Sequence, residues 1–276
     1  MKGNLRVTKM SGAGNDFIVL GPEEARRLAG DLPEWARRVC RRGLSVGADG
    51  VLVVEPCGAD RVRVVFVNPD GRESFCGNGS RCAARFAHLR GRAGGFMTLQ
   101  TLIGDVPAEV DGEIVRLSLT FPEDRGSVRL EKGSARLEGR FLVAGVPHFV
   151  AVVDDVAVAP LEIWGPWIRR HPRFAPDGTN VNLISWRPDG TLAIRTWERG
   201  VEGETLACGT GAVAAAAVVR ARASPEGVRV VPASGVPLVV AFRQRSDREI
   251  AVLEGDARLV FEGTLTEEAT SGFSAC

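Results

Sequence analysis

The sequence predicts an α+β protein of two similar β-rich halves, each with a helix whose N-terminus bears a cysteine. Short apolar runs of strand length recur along most of the chain with turn residues between them. Two segments, FCGNGSRCAARFAHL and ACGTGAVAAAAVVRA, each read as strand, polar loop, Cys-Gly-polar-Gly turn and helix. Their cysteines, Cys76 and Cys208, lie about half a chain apart.

Taken in order, Arg6–Met10 and Phe17–Leu20 read as strands joined by the small, polar loop 11–16. Residues 22–42 read as helix in two pieces split at Pro33. Trp35, Ala36, Val39 and Cys40 share one face, and Arg37, Arg38, Arg41 and Arg42 are expected to meet water on the other. Val51–Glu55 and Arg61–Val67 are strands, and Asn68-Pro69-Asp70-Gly71 is a turn by its chemistry. A helix is expected from Arg81 to Leu89, followed by a hairpin turning at Asp111-Gly112. Phe121–Gly139 is the least apolar stretch, so the first boundary is placed near residue 118. The halves are then 1–118 with 262–276, carrying Cys76, and 119–261, carrying Cys208. In the second half, Arg140–Val153 holds strand-like runs interrupted by Gly145-Val146-Pro147-His148. A short helix is expected around Trp164 and Trp167, and strands over 181–186 and 192–197. Four short β runs close the chain between Val228 and Phe261. The Ala212–Val219 helix is apolar nearly all round, as befits a helix enclosed by strands.

Composition narrows the function. A net charge of +1 over 276 residues offers no basis for nucleic-acid binding, and no apolar run is long enough to span a membrane. The opening MKGNLRVTKMSGAGNDF lacks a hydrophobic signal core, so a cytoplasmic protein is expected. Six cysteines without a CxxC pair, and only three histidines, argue against a zinc site and against a disulfide framework. Cys40, Cys57, Cys82 and Cys276 are read as structural or incidental, with Cys82 directed into the core.

A thiol at a helix N-terminus sits beside partial positive charge, which favours thiolate and attracts anions such as carboxylates. Two such thiols across a shared cleft are a base and an acid. With a substrate α-carbon between them, one removes a proton while the other delivers one to the opposite face. No metal ligand set and no pyridoxal signature stands out, so fixed N–H donors must stabilise the developing negative charge.

GAGNDF (12–17), FCGNGSRCAARF (75–86), GVPH (145–148), TNVN (179–182) and ERGVEGETLACGTGA (198–212) together resemble diaminopimelate epimerase across almost the whole chain. The resemblance implies two pseudo-symmetric halves, each a β-barrel-like sheet wrapped round a central helix, with the active site in the cleft between them. It implies cofactor-independent interconversion of LL- and meso-diaminopimelate toward lysine and cell-wall precursors, and commonly a homodimer. Cys76 and Cys208 would be the two bases, with His148 and Glu198 beside the reacting centre. Backbone at Gly77, Asn78, Gly209 and Thr210 would hold the reacting carboxylate. Asn15, Asn68, Asn180 and Arg199 would read the rest of the substrate, Arg199 on the distal carboxylate. The chain departs from some relatives at Gly50, where they carry Gln, and at Val146, where they carry Asn. Glu202 is an added acid in the ERG loop to which the sequence assigns no role. A racemase of another amino acid such as histidine, a thiol redox protein and a purely binding role stand as alternatives. Exchange of the substrate α-proton with solvent separates them.

Overall fold

The computed structural model describes residues 4–28, 32–133 and 135–270. Cys276, and with it the end of the expected first half, lies outside the described residues. The chain forms two compact units, residues 1–117 with 256–276 and residues 118–255.

The first unit contains β1 (Leu5–Gly12), β2 (Asn15–Leu20), α1 (Pro22–Arg27), α2 (Leu32–Val39), β3 (Gly50–Gly58), β4 (Arg61–Val67) and β5 (Glu73–Ser74). Helix α3 (Gly77–Leu89), β6 (Phe96–Thr101), β7 (Gly104–Asp111) and β8 (Ile114–Thr120) follow, and the unit boundary falls inside β8. The second unit contains β9 (Glu123–Lys132), β10 (Ala135–Ala144), β11 (Val146–Val152), α4 (Leu161–Arg169), β12 (Asn180–Trp186), β13 (Leu192–Glu198) and β14 (Gly203–Thr205). It continues with α5 (Gly209–Val218), β15 (Val228–Val231), β16 (Leu238–Arg245) and β17 (Arg248–Asp256). The chain then returns to the first unit as β18 (Arg258–Leu265), antiparallel to β1.

Both units pair their strands in the same sequence. In the first, β1 and β2 are antiparallel, β2 and β3 parallel, β3 and β4 antiparallel, and β4 pairs β5 antiparallel and β6 parallel. In the second, β10 and β11 are antiparallel, β11 and β12 parallel, β12 and β13 antiparallel, and β13 pairs β14 antiparallel and β15 parallel. Each parallel step needs a crossover, and helices occupy them: α1 and α2, then α3, in one unit, and α4, then α5, in the other. Helix α3 packs against β1, β2, β3, β4, β6 and β7, and α5 against β10, β11, β12, β13, β15 and β16.

Enclosure explains the apolar runs. Phe17 and Leu52 lie beside Gly79 of α3, while Ile18, Leu20, Val51 and Val53 face outward into a second cluster with Trp35, Ala36 and Val39 of α2. Strands covered on both faces have no polar face to alternate with. The same parity governs the second unit. Phe149, Ala151, Val181 and Leu183 join Leu161 and Ile168 of α4 in one cluster. The alternate residues His148, Asn180 and Asn182 therefore lie on the opposite face of their strands.

Several local expectations are corrected. Residues 11–16 are not a loop: β1 and β2 extend to Gly12 and Asn15 around a two-residue turn, with Ala13 at φ 53° and Gly14 at φ 99°. This matches the primed hairpin turn whose twist suits flanking strands. The Ala13 N–H donates to Asp256 Oδ1 at 2.8 Å, which holds a non-glycine residue in that conformation. Neither Cys-Gly-polar-Gly segment is a turn ahead of its helix: Gly77 and Gly209 are already helical, and each cysteine is the N-cap. The polar stretch after Phe121 forms the β9–β10 hairpin, whose charges pair across strands, as in Arg129 Nε to Glu138 Oε2 at 3.0 Å. Arg42 does more than meet water, since it binds Asp16 and Asp49.

Candidate active site

In the first unit Cys76 caps α3 with extended backbone, φ −135° and ψ 116°, and its Sγ accepts from the Gly79 N–H at 3.4 Å. First-turn N–H groups lack intrahelical acceptors, so a capping atom or bound anion satisfies them. A chain of side-chain hydrogen bonds starts behind this turn. The buried Arg81 guanidinium donates through Nη2 to Asn78 Oδ1 at 2.9 Å and through Nε to the Asp256 carbonyl at 3.2 Å. Asn78 Nδ2 donates to Asn15 Oδ1, and Asn15 Nδ2 donates to Asp49 Oδ2 at 3.0 Å. A cation that can only donate and a carboxylate that accepts leave each amide one orientation.

Asp49 in turn receives the Asp16 N–H at 3.1 Å, and Asp16 pairs with Lys9 Nζ at 2.8 Å. Burial raises the Asp16 carboxyl, but hydrogen bonds from Arg42 and Lys9 outweigh it and hold the group below its usual range. The fold thus brings Asn15 and Asn78 together, and Arg81, Asp49 and Lys9 behind them were not anticipated. An arginine among the small residues at 77–84, five positions after the capping cysteine, is the signal that could have found the first of them. Asn68 stands apart from this chain: its amide donates to the Arg72 carbonyl at 2.9 Å and to Ser74 Oγ at 2.8 Å, bracing the turn into β5.

In the second unit Cys208 caps α5 with nearly the same backbone, φ −124° and ψ 110°. Its Sγ lies 3.5 Å from Thr210 Oγ1, and Thr210 Oγ1 lies 3.0 Å from His148 Nε2. His148 is fully buried, and burial first, with the Arg199 charge adding to it, pushes its pKa down to about 3. The imidazole is therefore neutral at any working pH. Its other nitrogen, Nδ1, lies 3.2 Å from Asn182 Nδ2, and Asn182 Oδ1 accepts from Thr196 Oγ1 at 3.1 Å.

Asn180, two residues earlier on β12, binds the Pro147 carbonyl through Nδ2 at 3.0 Å and receives the Arg199 N–H on Oδ1 at 2.7 Å. One asparagine thus ties the start of β11 to the end of β13, where half-buried Glu198 closes the strand and Arg199 follows it. The Arg199 guanidinium reaches the Asp177 carbonyl through Nη1 at 3.4 Å. Asn182 and Thr196 were not anticipated. A second asparagine at i+2 on an apolar strand was the available sign, because it must be buried on the same face as the first.

Two of the three departures, Gly50 and Glu202, also find physical explanations. At Gly50 any side chain would run into the Phe66 ring, and a Cβ would come within 2.8 Å of the Val67 carbonyl, so the position serves packing. Glu202, at φ 58°, binds Arg169 Nε at 3.1 Å and Arg170 Nη2 at 3.2 Å, fastening the loop after β13 to the end of α4.

The family model for diaminopimelate epimerase matches residues 7–128 and 141–260. The chain is 36% identical to the diaminopimelate epimerase of Hydrogenobaculum sp. strain Y04AAS1, over 95% of this chain and 99% of that one. It is 39% identical to the diaminopimelate epimerase of Aquifex aeolicus, over 94% and 97%. A hydroxyproline epimerase from Agrobacterium vitis shares the fold at TM-score 0.69 with 17% identity, over 97% of this chain and 94% of that one. With both cysteine motifs, the intervening segments and nearly the full length matched, this chain belongs to the diaminopimelate epimerase family, isomerases of lysine biosynthesis that interconvert LL- and meso-diaminopimelate without a cofactor.

Proposed function

We propose that the epimerisation runs through two bases, Cys76 and Cys208, on opposite faces of the substrate's α-carbon, with the two pseudo-symmetric halves closing on one diaminopimelate in the cleft between them. One observation carries the reading: both cysteines cap a strand-enclosed helix with the same backbone conformation, within the same order of strand pairing. A thiolate on one face takes the α-proton and becomes a thiol. The thiol on the other face gives its proton to the carbon and becomes a thiolate. Protons balance, configuration inverts, and the reverse reaction exchanges the roles.

The first-turn N–H groups at Gly77, Asn78, Gly209 and Thr210 hold the α-carboxylate, so the charge of the developing carbanion meets fixed donors. Asn15, Asn68, Asn180 and Arg199 read the remaining amine and carboxylate groups, with Arg199 on the distal carboxylate. His148 and Glu198 serve the reacting centre. The enzyme is assigned to the cytoplasm and to a homodimer, the latter open to test by sedimentation equilibrium.

The test is solvent exchange. Incubation with LL-diaminopimelate in D₂O under reducing conditions should replace the α-proton with deuterium as the meso form appears, followed by NMR. Cys76→Ala and Cys208→Ala should each abolish turnover. Near-normal epimerisation by either variant would remove the two-base mechanism.

A further inference from the structure

The hydrogen bonds behind Cys208 have a direction set by a residue outside the motif's expected readers. Asn182 Nδ2 lies 3.2 Å from the Phe149 carbonyl, which can only accept, so the atom facing it must be the amide nitrogen. The same nitrogen lies 3.2 Å from His148 Nδ1, and its second hydrogen points there. Thr196 donates to Asn182 Oδ1 at 3.1 Å and locks the amide from the other end. A neutral imidazole whose Nδ1 accepts carries its single proton on Nε2. That proton is directed at Thr210 Oγ1, 3.0 Å away, and occupies one of its lone pairs. The Thr210 hydrogen is then available as a donor to Cys208 Sγ at 3.5 Å.

We propose that Asn182, held by Thr196, is a positioning residue that fixes the Nε2–H tautomer of His148 and thereby presents the Thr210 hydroxyl to Cys208 as a hydrogen-bond donor. The relay runs Thr196, Asn182, His148, Thr210, Cys208, each member donating to the next. Its end favours the thiolate form of Cys208, the form that acts as base in one direction and is left behind in the other. Close packing protects the arrangement: a Cβ on Gly211 would come within 2.5 Å of Asn182 Oδ1, so the second glycine of the motif makes room for the amide. The catalytic consequence rests on the reading of Cys208 as an acid–base thiol, whereas the tautomer does not.

The tautomer is measured on the unmodified enzyme. With ¹⁵N-labelled histidine, two-bond proton–nitrogen spectra distinguish a protonated nitrogen from one carrying a free pair, and the chain has only three histidines, assigned by loss of one set in His148→Gln. His148 is expected as the Nε2–H form. The Nδ1–H form, or an imidazolium at neutral pH, overturns the proposal whatever the activity. Asn182→Asp keeps the shape but turns the donor into an acceptor. It should move the His148 proton onto Nδ1 and lower kcat about ten- to a hundredfold, the range one hydrogen bond to a charged group commands, with KM changed much less.

Should that variant fail to fold, Thr210→Val removes the donor itself and Thr210→Ser restores it, so loss in the first and recovery in the second are expected. Equal activity of the Val and Ser variants overturns the relay. Where Asn182→Asp does fold, its loss combined with Thr210→Val should be no greater than the larger single loss, and additive losses overturn the relay as well. Normal α-proton exchange alongside a wrong tautomer sinks this inference while leaving the two-base reading standing.

Discussion

Gly79 and Gly211 occupy the same place in the two Cys-Gly-polar-Gly motifs, yet alanine at the two sites should have unequal consequences. Both are in helices, where alanine is favoured over glycine by about 1 kcal/mol. At Gly79 the added methyl would meet Leu52 Cδ2 at 3.2 Å and Cys76 Cβ and Phe17 Cε1 at 3.5 Å, contacts a leucine tip can relieve. At Gly211 it would stand 2.5 Å from Asn182 Oδ1, 3.2 Å from Cys208 Cβ and 3.3 Å from Cys208 Sγ. Asn182 cannot swing aside freely, since it is bonded to Thr196, His148 and the Phe149 carbonyl. Overpacking costs about 1–3 kcal/mol, and weakening one or two of these bonds costs about 1 kcal/mol each. Set against the propensity gain, Gly211→Ala should lose about 1–4 kcal/mol of stability, while Gly79→Ala should stay within about 1 kcal/mol of the parent. Urea denaturation followed by circular dichroism measures both, with turnover assayed in parallel. A Gly211→Ala enzyme as stable and active as the parent, or a larger loss at Gly79, would refute the packing argument.

The buried His148 should leave a trace in acid stability. Its folded pKa, about 3, lies below its ordinary 6.5, so between these values the unfolded chain binds a proton that the native state refuses. Stability therefore falls as pH drops from about 6.5, by up to about 1.4 kcal/mol per pH unit for this group. His148→Gln should flatten the urea midpoint between pH 6.5 and 4.5, a window above the ordinary Asp16 value of 3.8; parallel curves would contradict it. Cysteine accessibility gives a second check. Mass-spectrometric mapping after brief iodoacetamide treatment at pH 8 should find exposed Cys57 alkylated well before Cys40 and Cys82. Cys40, pushed up to about 12 by burial, and Cys82, raised by burial as well, should react only after unfolding. Early labelling of Cys82 would mean that α3 is not enclosed as described.

Much of the site was legible because its chemistry is local. Cys-Gly-polar-Gly ahead of an apolar run marks a helix N-terminus whatever surrounds it, and the repeat of that segment pointed to a pair. Strand parity was not read, because His148 and Asn180 fell outside the expected strands; in the fold Phe149 and Val181 take one face, and His148, Asn180 and Asn182 share the other. What stayed hidden depends on partners distant in the chain. Arg42 looked like one of several arginines on a wet helix face until Asp16 and Asp49 were brought beside it. Arg81, which the sequence marked only as the start of a helix, is fully buried against Asn78 and the Asp256 carbonyl.

By itself, then, the sequence determined the mixed class, the two cysteine-capped helices and which residues are candidate readers, since helix starts and short motifs are properties of neighbouring residues. Only the tertiary structure decided how those readers are held. The orientation of an amide and the tautomer of an imidazole follow from which group can only donate and which can only accept. Those groups, the Phe149 carbonyl beside Asn182 and the Arg81 guanidinium beside Asn78, act where folding has placed them.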